Sequence, residues 1–164
     1  IFNAGGDNDT GIDLATNDAV KIKIANAVKA EVDSSGHVKL DTVKGYTSAA
    51  SVSVVGEGGS TTTSLQQGLC KCWVKFDGSD STPAYHDSFN ASSLTDHGTG
   101  EFQVFITNDM GNDDYATFVT STFYSGMSSE AHTIVGSVRI FTADANGNVS
   151  DREETTTCIF GDLA

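Results

Sequence analysis

The sequence predicts an all-β protein: an antiparallel, jelly-roll-like β-sandwich domain at the C-terminal end, preceded by a small β-hairpin segment. Three observations carry this. Between Gly68 and Tyr124, short alternating apolar runs are cut at regular intervals by Asp, Asn, Gly and Ser clusters, and no stretch keeps a helical period. The 17 glycines and single proline, with abundant Ser and Thr, suit a turn-rich β protein. Finally, VKIKI at residues 20–24 alternates with period two, which places Val20, Ile22 and Ile24 on one face and Lys21 and Lys23 on the other.

Residues 1–42 read as a β shaft or oligomerisation segment. After VKIKI, AVKAEV continues the alternation, with Val28, Ala30 and Val32 set against Lys29 and Glu31. DSSG then turns the chain: Asp33 can accept backbone hydrogen bonds, Gly36 can take a positive φ, and Val38 and Leu40 return along the apolar face. A lone hairpin of this kind is marginal in water, so its stripe is expected to pack against copies of itself or against the next module. Residues 43–67 are small and hydroxylated and read as a linker, with a strand at Val52 and Val54 and a flexible joint at GEGG. No Lys-Ser/Thr pair follows Gly56, Gly58 and Gly59, so this is not a phosphate loop.

Residues 68–164 form the sandwich. Strands are expected over 70–76, 85–91, 100–107, 116–124, 133–143 and 154–160, with turn-forming clusters between them. Several carry apolar residues on both faces: Phe105 opposes Phe102, Val104 and Ile106, while Phe118 and Tyr124 oppose Val119 and Phe123. A two-layer sandwich buries one face of each sheet, so the excess predicts a second buried surface, either a subunit interface or ligand-facing aromatics.

Nine basic against 22 acidic residues leave a formal charge of -13, which disfavours binding to nucleic acid or an anionic membrane by simple attraction. No apolar run approaches the roughly 20 residues of a spanning helix, so membrane insertion is not expected. The first residue is Ile1 rather than Met; removal of a leader, cutting of a longer protein, or a partial chain would each account for it, the last two being favoured. Cys70 and Cys72, two apart in a strand, are expected on one face. Each could instead meet Cys158, or all three could be buried free thiols.

Asp7, Asp9 and Asp13 alternate around Gly11 like the start of a calcium loop, but without the later bidentate Glu; they are calcium candidates set against a solvated acidic turn, and no other cofactor is expected. DANGNVSD reads better as an Asn-Gly hairpin turn than as a cation site. Asp113-Asp114 and Glu153-Glu154 are adjacent pairs whose side chains diverge, the four histidines lie near turns, and no nucleophile elbow is present, so no enzymatic role is expected. Trp73, Tyr85, Tyr115 and Tyr124 are the aromatics available for stacking on sugar rings or anchoring an interface, with Trp73 facing away from the cysteines between Lys71 and Lys75.

LQQGLCKCWVKFDGSDS, the string SFNASSLTDHGTG at residues 88–100 and the terminal FGD at residues 160–162 resemble a group of tail-fibre-like and other virion structural proteins of marine bacteriophages. DTGIDLATNDAVKIKI and VDSSGHV resemble the fibre-shaft repeats found ahead of such domains, and the cysteines at 70 and 72 depart from the small residues usual there. The resemblance implies a homotrimeric tail fibre or appendage segment of the virion, assembled in the host cytoplasm and acting outside it. Its partners would be itself, other virion proteins and, through its C-terminal domain, a host-surface glycan or protein. A capsid decoration or head-fibre protein and a carbohydrate-binding module are the alternatives.

Overall fold

Alternating apolar and charged residues pair into sheets wherever a turn brings them side by side, and both ends of this chain follow that rule. The structure, a computed structural model, describes residues 11–13, 19–46, 52–80, 82–128 and 133–164, in two units that divide after Ser51.

In the first unit, β1 (Gly11–Asp13), β2 (Val20–Ile24), β3 (Ala27–Val32) and β4 (Val38–Lys39) form one antiparallel sheet in that order. Ala25 and Asn26 both take positive φ in the two-residue turn between β2 and β3, matching the right-handed twist of the strands. The next turn is built as its sequence predicts. Asp33 Oδ1 accepts from the amides of Ser35 (2.9 Å) and His37 (3.0 Å), and Gly36 sits at φ 81°, where a side chain would be strained. The register sets Ile22 between Ile12 and Ala30, and Val32 between Val20 and Val38. One expectation is corrected: a β-bulge shifts the register after Ile22, so Val28 stands opposite Lys23 rather than continuing the face of Ala30 and Val32.

The second unit begins earlier than the sequence suggests. Residues 43–67 read as a linker with one strand and a joint, yet β5 (Ser53–Val55) pairs with β6 (Thr62–Ser64), and GEGG is the turn of that hairpin, with Gly56 N–H donating to Thr61 O at 2.8 Å. Ser64 then caps a single helical turn, α1 (Leu65–Gly68).

The sandwich follows, built of two antiparallel sheets. One has the order β11 (Ala116–Ser121), β15 (Thr155–Phe160), β7 (Cys70–Asp77), β8 (Ala84–Phe89); the other has β12 (Tyr124–Met127), β14 (Ser137–Ala143), β10 (Glu101–Ile106), β9 (Ala91–Gly98), with β13 (Thr133–Ile134) also paired to β14. Cys72, Val74 and Phe76 of β7 and Ile159 of β15 meet Phe102, Val104 and Ile106 of β10 and Val138 and Ile140 of β14 in one buried cluster. Phe76 and Phe102 pack edge to face across the layers, centroids 5.1 Å apart.

The strands differ from those expected in three places. Residues 92–98, read as part of a turn because they are rich in Ser, Thr, Asp and Gly, join Ala91 in forming β9. Pairing with β10 overrides local propensity, and as a sheet edge β9 needs only Ala91 and Leu94 against the core. The run 116–124 divides into β11 and β12, which lie in different sheets, and Val135-Gly136 turns 133–143 into a hairpin. The chain changes sheets between β8 and β9 at a single residue, Asn90, which holds φ 58°. Its Nδ2 donates to Lys71 O (2.9 Å) and Asn108 O (3.2 Å), and its Oδ1 accepts from Asn108 N (2.9 Å) and Nδ2 (3.0 Å).

Candidate functional site

The outer faces of the two sandwich sheets are unlike. On the sheet containing β10 and β14, Arg139 pairs with Glu101 at 2.8 Å and Gln103 bonds His97 and Ser137, each at 2.8 Å, beside two half-buried outward aromatics, Phe105 and Phe141.

The other sheet turns an aromatic surface outward. Because Cys72, Val74 and Ile159 point into the core, alternation sends Trp73, Cys158 and Phe160 outward. The register then aligns Phe118, Cys158, Trp73 and Phe89 in one row across all four strands, with Ala116, Phe160 and Cys70 in the row beside it. Phe118 is 61% exposed and Phe89 53%, while Trp73, Phe160, Cys70 and Cys158 are half-buried. Phe118 and Phe160 meet edge to face at 5.8 Å. The next row, Thr120, Thr156, Lys75 and Asp87, is polar, and Lys75 pairs with Glu154 at 2.6 Å. The aromatic rows therefore offer stacking and apolar contact, with hydrogen-bonding groups only at the rim.

A second uncovered face lies in the N-terminal unit. Ile12, Val20, Ile22, Ile24, Val32 and Val38 are 40–65% exposed. The reverse side of the same sheet is held by ion pairs from Glu31 to Lys21 (3.7 Å) and Lys39 (3.0 Å).

Two details of the first sheet depart from the sequence reading. A β-bulge at Lys71 places Cys70 opposite Phe160 and Cys72 opposite Ile159, so the two cysteines lie on opposite faces rather than one. The same bulge buries Lys71, expected to flank Trp73 at the surface. Its ammonium donates to Leu69 O at 2.6 Å and to Gln66 O, and desolvation lowers its pKa. All three thiols are free. Burial pushes Cys72 up to about 12 and raises Cys158, with the neighbouring Cys70 thiol adding to the latter; Cys70 Sγ itself donates to Cys72 O at 3.2 Å.

The four aromatics singled out from sequence do not converge. Trp73 is central to the aromatic rows. Tyr85, 40% exposed on edge strand β8, lies opposite Phe76. Tyr115 is a core residue whose hydroxyl donates to Ser137 O (2.7 Å) and Ile134 O (3.1 Å), with its pKa pushed up to about 12 by burial. Tyr124, 58% exposed, belongs to the other sheet. Sequence reasoning missed Phe89 and Phe160 as members of the surface; only the register brings them beside Trp73 and Phe118.

Of the calcium candidates, Asp7 and Asp9 lie outside the described residues, and Asp13 is described only as the last residue of β1. Among the described residues no group of three or more His, Cys, Asp and Glu is placed to hold a metal ion. In DANGNVSD the carboxylate of Asp144 accepts from the amides of Asn146 (2.8 Å) and Asn148 (2.9 Å) and Gly147 takes φ 84°, reproducing the Asp33 turn. No helix among the described residues is long and apolar enough to cross a membrane.

Comparison of the chain with family models, with curated proteins and with solved structures finds no match.

Proposed function

We propose that this chain is a phage virion structural protein, a segment of a homotrimeric tail fibre or appendage whose N-terminal sheet lies among three copies and whose C-terminal sandwich meets the host surface. One observation carries the assembly: six aliphatic residues of the N-terminal sheet share a face that nothing in the described chain buries below 40% exposure. An aliphatic face of this kind on a small four-stranded sheet gains its stability by being covered, and a closed ring of copies covers it without leaving a free edge. The shaft-like and FGD-type motifs add the virion assignment, by resemblance.

The aromatic rows of the sandwich suit protein better than sugar. A glycan site needs polar groups convergent on hydroxyls, and here Phe118, Phe89, Phe160 and the two outward cysteines supply almost none. Light scattering on the purified chain tests the proposal. The expected mass is three times 17.1 kDa, and a species that stays monomeric at high micromolar concentration overturns it.

A further inference from the structure

We infer that Cys70 and Cys158 are a paired site of thiol oxidation, closing to a cross-strand disulfide on the outer face of the sandwich while Cys72 stays reduced. The pairing follows from the bulge. Without it, Cys70 would share the inner face with Cys72. With it, Cys70 joins Phe160 on the outside, diagonal to Cys158, which stands opposite Trp73. Cys70 and Cys158 are therefore neighbours on one face, the Cys70 thiol donating to Cys72 O at 3.2 Å, and both residues are half-buried, open to a small reagent. Cys72 is 1% exposed and faces the core, where burial holds its thiol protonated.

Geometry permits the bond with a small movement. Diagonal neighbours on adjacent antiparallel strands stand about 7–8 Å apart at Cα, just beyond the ~7 Å limit for an unstrained disulfide. Cys70 is the first residue of β7 and follows Leu69, the C-cap of α1, so the movement falls at a strand end rather than inside the sheet. The oxidant is a small disulfide such as oxidised glutathione. One thiolate of the pair attacks it, forming a mixed disulfide and releasing one glutathione thiolate. The second protein thiolate then displaces the other glutathione. Two protein S–H bonds and one glutathione S–S bond are exchanged for one protein S–S bond and two glutathione thiols. Because burial raises the Cys158 thiol, the exchange quickens as the pH rises above neutrality.

The sequence makes the test simple, since cleavage after Lys71 separates Cys70 from Cys72. Full-length chain is incubated with oxidised glutathione at about pH 8.5, near the ordinary thiol pKa, then alkylated, digested with trypsin and analysed by mass spectrometry. The expected product is peptide 45–71 linked to peptide 153–164 in most chains, with Cys72 alkylated only after unfolding. Cys72→Ser retains the link, and Cys158→Ser abolishes it and leaves Cys70 capped by glutathione. A link through peptide 72–75, glutathione on both Cys70 and Cys158 without a link, thiols that stay unreacted, or links only between isotopically distinct chains would each overturn the assignment.

Discussion

Replacing Ile22 with lysine tests the N-terminal face at its centre, since Ile22 pairs with Ile12 on one side and Ala30 on the other. Full burial of an aliphatic side chain is worth about 1.5–3 kcal/mol. Ile22 is 45% exposed in the single chain, so covering the remainder contributes about 1 kcal/mol per copy. The substitution acts in all three copies and removes about 3 kcal/mol from a trimer, which weakens assembly at least ~10²-fold; desolvating the new ammonium adds to that figure. Sedimentation velocity over a dilution series gives the trimer–monomer midpoint for both chains. Fluorescence of Trp73, the one tryptophan, reports whether the sandwich is unchanged. If Ile22→Lys assembles at the same concentration as the parent with the sandwich intact, the face is not the seam and the reasoning fails.

Three further outcomes are expected. Asn90→Ala loses four side-chain hydrogen bonds and puts alanine at φ 58°, costing about 3 kcal/mol, whereas Asn90→Gly removes the bonds without the backbone strain and costs about 1 kcal/mol less; urea unfolding of the pair separates the two contributions, and equal losses would contradict the strain. In alkali, the unfolded chain releases the Cys72 proton near its ordinary 9.0 and the Tyr115 proton near 10.0, while the folded chain keeps both to about 12. The unfolded state then binds fewer protons, so stability falls as pH rises above about 9, by up to ~1.4 kcal/mol per pH unit per group. Urea midpoints across that range should decline less steeply in Cys72→Ala. In acid the sign reverses: hydrogen bonds from the His37 amide, first among its partners, hold Asp33 at about 2 against an ordinary 3.8, so its contribution is complete above that ordinary value and is lost as pH falls toward 2. Protection of the His37 amide relative to its intrinsic exchange rate should fall over that interval, and Asp33→Asn should remove that fall.

What the sequence determined by itself is what neighbouring residues decide. The alternation in VKIKI and in CWVKF at residues 72–76, and the Asp-x-x-Gly turns at Asp33 and Asp144, were legible because period and turn chemistry act over a few residues, and the structure keeps them. The all-β class and the excess of apolar faces followed from the same local signals.

Pairing required the tertiary structure. Strand β9 is polar enough to read as a turn and is a strand because β10 lies beside it. Tyr115 sits in the core because the carbonyls of Ile134 and Ser137, distant in sequence, face its hydroxyl. The place of Cys70 beside Phe160, and with it the proposed Cys70–Cys158 pair, depends on one bulged residue, Lys71, whose effect is to send Cys70 to the opposite face from Cys72. A side chain's face has a period of two along its own strand, but a bulge changes that parity, and the position of a bulge is set by the partner strand.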